Sequence, residues 1–282
     1  MNVGGAGLAV TLYSLLEMSR RRVLFVLLVV GLVLIIGVGL APLVIPNMAP
    51  GEERNLFLLQ QLSGLVGSFS GLVALAIGMT VVYHDLDSGA AIALFAKPVG
   101  RLAYALGKLA AGFAALVGVI VVLALGARTI LSLNGGGHEA VLWLHWATLV
   151  ANLLLLLVFV AILSTFMNNV VAAIIGFVGS QVMNVVVALH AFVAAHLIHN
   201  PLFSVPIEIV YWIVPHLLNS GLAREIIETS LRLRPPPLGA PGTAAILASV
   251  AGPSGAGDVL YWAVYLLALC AVFYWAVRRR QV

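Results

Sequence analysis

Residues 23–44 read VLFVLLVVGLVLIIGVGLAPLV. The stretch holds no Asp, Glu, Lys or Arg, and none follows until Glu52. A helix rises about 1.5 Å per residue, so about 20 apolar residues cross the ~30 Å hydrocarbon core of a bilayer. The run is too long for the apolar part of a cleavable signal peptide, and no small-residue cleavage site follows it. Residues 23–45 are therefore predicted to form a first membrane span, ended by Pro42, Pro46 and Pro50.

The same reading extends along the chain. Charge-free stretches at 55–84, 109–127, 140–207 and 259–277 predict further spans near 56–82, 104–127, 141–165, 170–192 and 258–277. The stretch 140–207 is long enough for two spans, and Asn168-Asn169 divides it. Composition agrees: 62% of the 282 residues are hydrophobic and 9% charged. Soluble domains run at about 45–50% and about 25%. A lipid solvent lets the outer helix faces stay apolar. One domain, 1–282, is expected.

Two segments are not predicted to span. Leu8, Leu12, Leu15 and Leu16 share one helical face, and Thr11, Ser14, Glu17 and Arg21 the other. This is an amphipathic helix suited to the membrane surface, ending in Arg20-Arg21-Arg22. The segment 193–257 is rich in proline. Its stretch 207–218 predicts one or two short interfacial or re-entrant helices, with Tyr211 and Trp212 at headgroup depth, and 222–232 a short surface helix. The fold class is thus an all-α membrane protein. It has six transmembrane helices, an N-terminal amphipathic interfacial helix, and short interfacial helices before the last span.

The basic residues set the orientation. Arg20, Arg21, Arg22, Lys97, Arg101, Lys108, Arg278, Arg279 and Arg280 outnumber Arg54, Arg128, Arg224, Arg232 and Arg234. The first set belongs inside, which places both termini in the cytoplasm and the chain in the inner (plasma) membrane. Because the basic residues cluster beside apolar segments, the net charge of +4 reads as a topology signal and not as a nucleic-acid site. The lone Cys270 excludes a disulfide framework and a cysteine-based metal cluster.

The longest inner connection runs from 83 to 108. Asp85 and Asp87 precede Gly89, and Asp87 or Ser88 can cap a short helix reaching Phe95. Lys97 suits the C-terminal end of that helix and Pro98 stops it. Such a helix across the inner face has the shape to dock in a partner's groove. The plain alternative is a solvated turn that only sets topology.

With these residues in view, the chain resembles an ABC-2-type permease. The family commonly shows Glu-x-x-x-Gly-Thr, then Pro-x-x-Arg, then Gly-Lys. Here stand Asp85-x-x-x-Gly89-Ala90, Pro98-Val99-Gly100-Arg101 and Gly107-Lys108, with Asp for Glu and Ala for Thr as departures. The aromatic and proline stretch from Tyr211 to Pro215 before the last span is also similar. The resemblance implies a dimeric membrane unit, made with a second permease copy or homologue. It also implies a separate ABC ATPase subunit that contacts the loop through Asp85, Asp87, Gly89, Lys97, Pro98, Arg101 and Lys108. This chain would supply the substrate path and the coupling. A non-transporting membrane anchor or assembly subunit of a larger complex is the alternative.

No catalytic role is expected. Gly107-Lys108 lacks the rest of a phosphate loop, since Leu102 and Leu109 occupy its defining positions and no strand precedes it. ATP hydrolysis is therefore assigned to another chain, and no cofactor to this one. No serine–histidine–acid set, carboxylate pair or zinc-protease motif lies on one helix face. His196 and His199 at i, i+3, with His190 and His216, would place imidazoles at the outer interface. Such a group could hold copper or zinc; without carboxylates or cysteines at ligand spacing, the plainer reading is interfacial histidines bonded to water or headgroups, and no metal is assigned. Gln181 and Asn184, also at i, i+3, are a candidate substrate path, with hydrogen bonding between helices as the alternative. Small residues in the second span (Gly64, Gly67, Ser68, Gly71) and the fifth (Ala172, Gly176, Ser180) permit close helix contact.

Overall fold

The computed structural model describes residues 3–20, 22–44, 51–81, 83, 100–136, 139–234, 250 and 252–279. The described residues form helices and connections, with no strand among them. In chain order the helices are α1 (Val3–Ser19), α2 (Arg22–Val44), α3 (Glu52–Thr80), α4 (Arg101–Leu133), α5 (Glu139–Phe166), α6 (Asn169–Ala194), α7 (Pro201–Ile213), α8 (Leu222–Leu233) and α9 (Ala256–Arg279). Six of these, α2, α3, α4, α5, α6 and α9, are long and apolar enough to cross a membrane. They fall on the six predicted spans.

The differences lie at the ends, and each has a local cause. Helix α4 runs to Leu133, well past the predicted 127. Arg128 does not stop it, because its guanidinium lies 5.0 Å from the centre of the Trp143 ring and so finds a partner without leaving the helix. Helix α3 starts at Glu52 because Glu52 and Glu53 occupy its first turn, where carboxylates favour the helix dipole. The same acids pair with Arg232 (3.3 Å) and Arg234 (3.1 Å), joining α8 and the residue after it to α3. Helix α7 begins at Pro201, not near 207. Asn200 Oδ1 accepts from the Leu202 amide at 3.0 Å, and Pro201 fits the first turn, where its missing N–H costs nothing.

The packing is that of a bundle dissolved in lipid. Helices α3, α4 and α5 form the centre, with Ile77, Leu116, Ile120, Leu157, Val158 and Val160 in one buried cluster. Tyr104 of α4 and Phe273 of α9 are fully enclosed there. The outer helices keep large apolar side chains outward, among them Phe25 of α2, Val182 of α6 and Leu267 of α9. Hydrocarbon solvates such faces at no cost, whereas water would oppose them by about 25 cal/mol per Å².

Helices α3, α5 and α6 approach one another closely. A Cβ on Gly78 would lie 2.9 Å from the Leu157 carbonyl oxygen and 2.9 Å from Val160 Cβ, and one on Gly176 would collide with the Val160 side chain. The fifth-span residues Ala172 and Gly176 therefore do pack closely within the chain. The second-span glycines Gly64 and Gly71 make no such contact among the described residues of the chain. A Cβ on Gly64 or Gly71 would meet open space. Their small size leaves room instead of closing a contact.

Helix α1 packs on the N-terminal part of α4. Its apolar face, with Leu8, Leu12 and Leu16, points outward, while Val10, Ser14 and Met18 are buried. A Cβ on Gly107 would sit 3.0 Å from the Gly7 carbonyl oxygen, so glycine there lets the two backbones approach. One turn of polar chemistry secures the contact. Lys108, which is 3% exposed, places its ammonium 3.4 Å from a Glu17 carboxylate oxygen. An outward apolar face over an inward ion pair is the reverse of a water-soluble helix, and fits one lying against lipid.

Candidate functional site

Helices α3, α5 and α6 enclose a groove of about 670 Å³. Helix α3 contributes Gln60, Ser63 and Ser68, together with Gly64, Gly67 and Gly71. Helix α5 contributes His145 and Asn152, and α6 contributes Ser180, Gln181 and Asn184. Leu149, Leu153, Phe177 and Met183 supply apolar wall. No Asp, Glu, Lys or Arg is among the described lining residues. The groove is thus uncharged, with a set of polar side chains placed in a mainly apolar lining.

The glycines explain its width. Where α3 passes α6 near Gly176 the helices touch, and where Gly64, Gly67 and Gly71 face the opening they leave space. Gln181 and Asn184 are exposed and face the opening. Gln181 Nε2 donates to Ser180 Oγ at 3.3 Å on its own helix. Neither amide makes a hydrogen bond to another helix among the described residues. The structure adds Gln60, His145 and Asn152 to these two, which spacing along one helix could not reveal.

One end of the groove is fixed by the connection 214–221. Asn152 Nδ2 donates to the Leu218 carbonyl at 2.9 Å, and its Oδ1 accepts from the Leu218 amide at 2.8 Å. His145 Nδ1 lies 3.3 Å from Ser220 Oγ. The Ser254 amide donates to the Asn219 carbonyl at 2.8 Å, tying the connection to the approach of α9. Leu217 of this connection reaches the groove wall.

Beyond that connection stands a column of stacked rings. His190 stacks on Tyr211 at 3.7 Å, Tyr211 on His216 at 4.3 Å, and His216 on Tyr261 at 4.1 Å, each pair within 11° of parallel. The column joins α6, α7 and α9. His216 is buried, and its Nε2 lies 3.8 Å from Asp258. Burial pushes the His216 pKa below its usual 6.5, against a weaker upward pull that includes Asp258. Tyr211, which is half-buried, has its pKa pushed upward by desolvation as well. The expected pairing of His196 with His199 on a helix face is not present. Helix α6 ends at Ala194, and His196 sits in a left-handed turn with φ of 53°. Among the described residues no three His, Cys, Asp or Glu side chains gather as metal ligands.

Of the loop residues singled out in the sequence, Asp85, Asp87, Gly89, Lys97 and Pro98 lie outside the described residues. Arg101 opens α4, and its Nη1 donates to the Arg278 carbonyl at 3.1 Å, capping the C-terminal end of α9. Lys108 is turned inward to Glu17.

Fold and groove together define a multi-pass, all-α membrane protein. No protein-family model matches the chain and no curated protein matches its sequence.

Proposed function

We propose that the chain is the permease subunit of an ATP-driven ABC transporter. In this reading the groove is the substrate path, and the segment 83–108 couples it to a separate ATPase. The observation that carries it is the uncharged groove into which three spans bring polar side chains. Gln60, Gln181 and Asn184 are exposed side-chain amides on helices otherwise suited to lipid. An unpaired amide in hydrocarbon costs several kcal/mol, roughly 4–8 by transfer to cyclohexane. A second permease copy or homologue closing over the groove would remove that cost and leave a water-lined passage. A secondary carrier is less well supported, since no charged side chain lines the groove among the described residues.

The test is co-purification from native membranes. An ATP-hydrolysing subunit is expected to accompany the chain, and Asp85→Lys combined with Arg101→Glu to release or uncouple it. Gln181→Leu with Asn184→Leu is expected to leave the partner bound but alter substrate stimulation of ATP turnover. If no hydrolysing partner accompanies the chain, the transporter reading fails and the anchor reading replaces it.

A further inference from the structure

A second cavity, of about 460 Å³, lies at the arginine-bearing end of the bundle, between the end of α1, the start of α2 and the end of α3. Its walls are apolar: Met18, Val23, Leu24, Ala76, Ile77 and Met79. Its rim carries Arg20, Arg22 and Glu17. The acid is already matched, because the Lys108 ammonium lies 3.4 Å from it. Arg20 and Arg22 are exposed and form no ion pair among the described residues. The one hydroxyl in the lining, Thr80 Oγ1, donates to the Ala76 carbonyl at 2.8 Å, so hydrogen-bond donors for a ligand come from the guanidinium groups.

We infer that this cavity binds the phosphate-bearing headgroup of an anionic phospholipid. Two guanidinium groups in excess over acid supply charge and forked donors that match phosphate oxygens. The walls supply the second half of the ligand. They continue into the outward faces of α2, where Phe25 and Val26 are exposed, so acyl chains leaving the cavity stay in hydrocarbon. A free phosphate would satisfy the arginines and leave the apolar walls uncovered. Basic cavities between helices at a membrane surface bind anionic headgroups on this principle. The site shares no lining residue with the α3–α5–α6 groove and does not depend on the transporter reading.

The test uses the full chain, stripped of lipid in neutral detergent. Phosphatidylglycerol is titrated against phosphatidylcholine and bound lipid is read by native mass spectrometry. Phosphatidylglycerol is expected to bind preferentially. Each basic side chain near an anionic headgroup is worth about fivefold, so Arg20→Gln with Arg22→Gln should weaken phosphatidylglycerol binding by roughly 25- to 30-fold. Phosphatidylcholine binding should be unchanged. Ala76→Leu keeps both charges but fills the cavity, and is expected to weaken binding as well. Thermal melts of both variants establish that they fold. Binding in the arginine variant within threefold of the parent overturns the site. So does loss of binding in that variant with Ala76→Leu unaffected, since the arginines then hold lipid at the surface and not in the cavity. Displacement of the lipid by millimolar inorganic phosphate would overturn the lipid assignment in favour of a soluble anion.

Discussion

The pair Glu17–Lys108 holds α1 to α4, and its strength can be worked from the geometry. Unit charges 3.4 Å apart attract by about 5 kcal/mol at an effective dielectric constant of about 20. Desolvating the lysine consumes much of this, because Lys108 is buried whereas the Glu17 side chain is 28% exposed. The two single substitutions should therefore differ. Glu17→Gln removes a carboxylate from beside a buried ammonium and should cost about 3 kcal/mol, the low end for breaking a buried pair. Lys108→Met leaves a carboxylate that water reaches, in a site where methionine fills the volume of the lysine stem, and should cost about 1 kcal/mol. The double variant should resemble Lys108→Met, giving a coupling of about 2–3 kcal/mol. Unfolding by SDS titration in mixed micelles measures all four proteins. A coupling below about 0.5 kcal/mol, or a larger loss for Lys108→Met than for Glu17→Gln, would refute the assignment of an electrostatic lock between these helices.

Three further outcomes are expected. Gly176→Ala alone should destabilise by about 1–3 kcal/mol through collision with Val160, outweighing a helix-propensity gain of up to ~1 kcal/mol; in a Val160→Ala background the same change should become neutral or stabilising, and an unchanged sign would count against the close contact. Asn152→Leu removes both hydrogen bonds to Leu218, with a loss of about 2 kcal/mol and faster amide exchange confined to 214–221; protection unchanged there would show that the clasp does not hold the connection. Because burial lowers the His216 pKa below 6.5, the unfolded chain binds this proton more readily: the contribution is complete above about pH 6.5 and is lost as pH falls through the lowered folded value. His216→Phe, which preserves the ring stack, should therefore flatten the fall in Tm between neutral pH and pH 5, and equal slopes would oppose the idea.

The span positions were legible because they rest on length and charge alone. A bilayer excludes Asp, Glu, Lys and Arg from the middle of a helix, so gaps between charges locate helices without reference to packing. Helix ends were less legible because a single side chain decides each. Arg128 reads as a boundary until Trp143 is seen beside it, and Asn200-Pro201 reads as a loop until Asn200 is seen to cap α7. The groove was legible only as Gln181 and Asn184. Gln60 and Asn152 sit on other helices, and only the assembled bundle shows that they share one opening with that pair. The glycines show the same limit from another side. Gly64 and Gly78 have the same local appearance in α3, yet one faces space and the other Val160.

Helix α4 has a mechanical property that follows from its 33 residues. At about 1.5 Å per residue it is a rod of about 50 Å, well beyond the ~30 Å of hydrocarbon it crosses. Near one end it bears Gly107 and Lys108 against α1, and Arg101 against the last carbonyls of α9. Just past its other end Asn134 accepts a hydrogen bond from Arg54 at the start of α3. A stiff rod pivoting at a point near one membrane face has unequal arms. A tilt of about 5° swings its far tip by about 4 Å along such a length. If the rod turned as one body, a displacement at Arg101 would reach the start of α3 on the opposite side of the membrane.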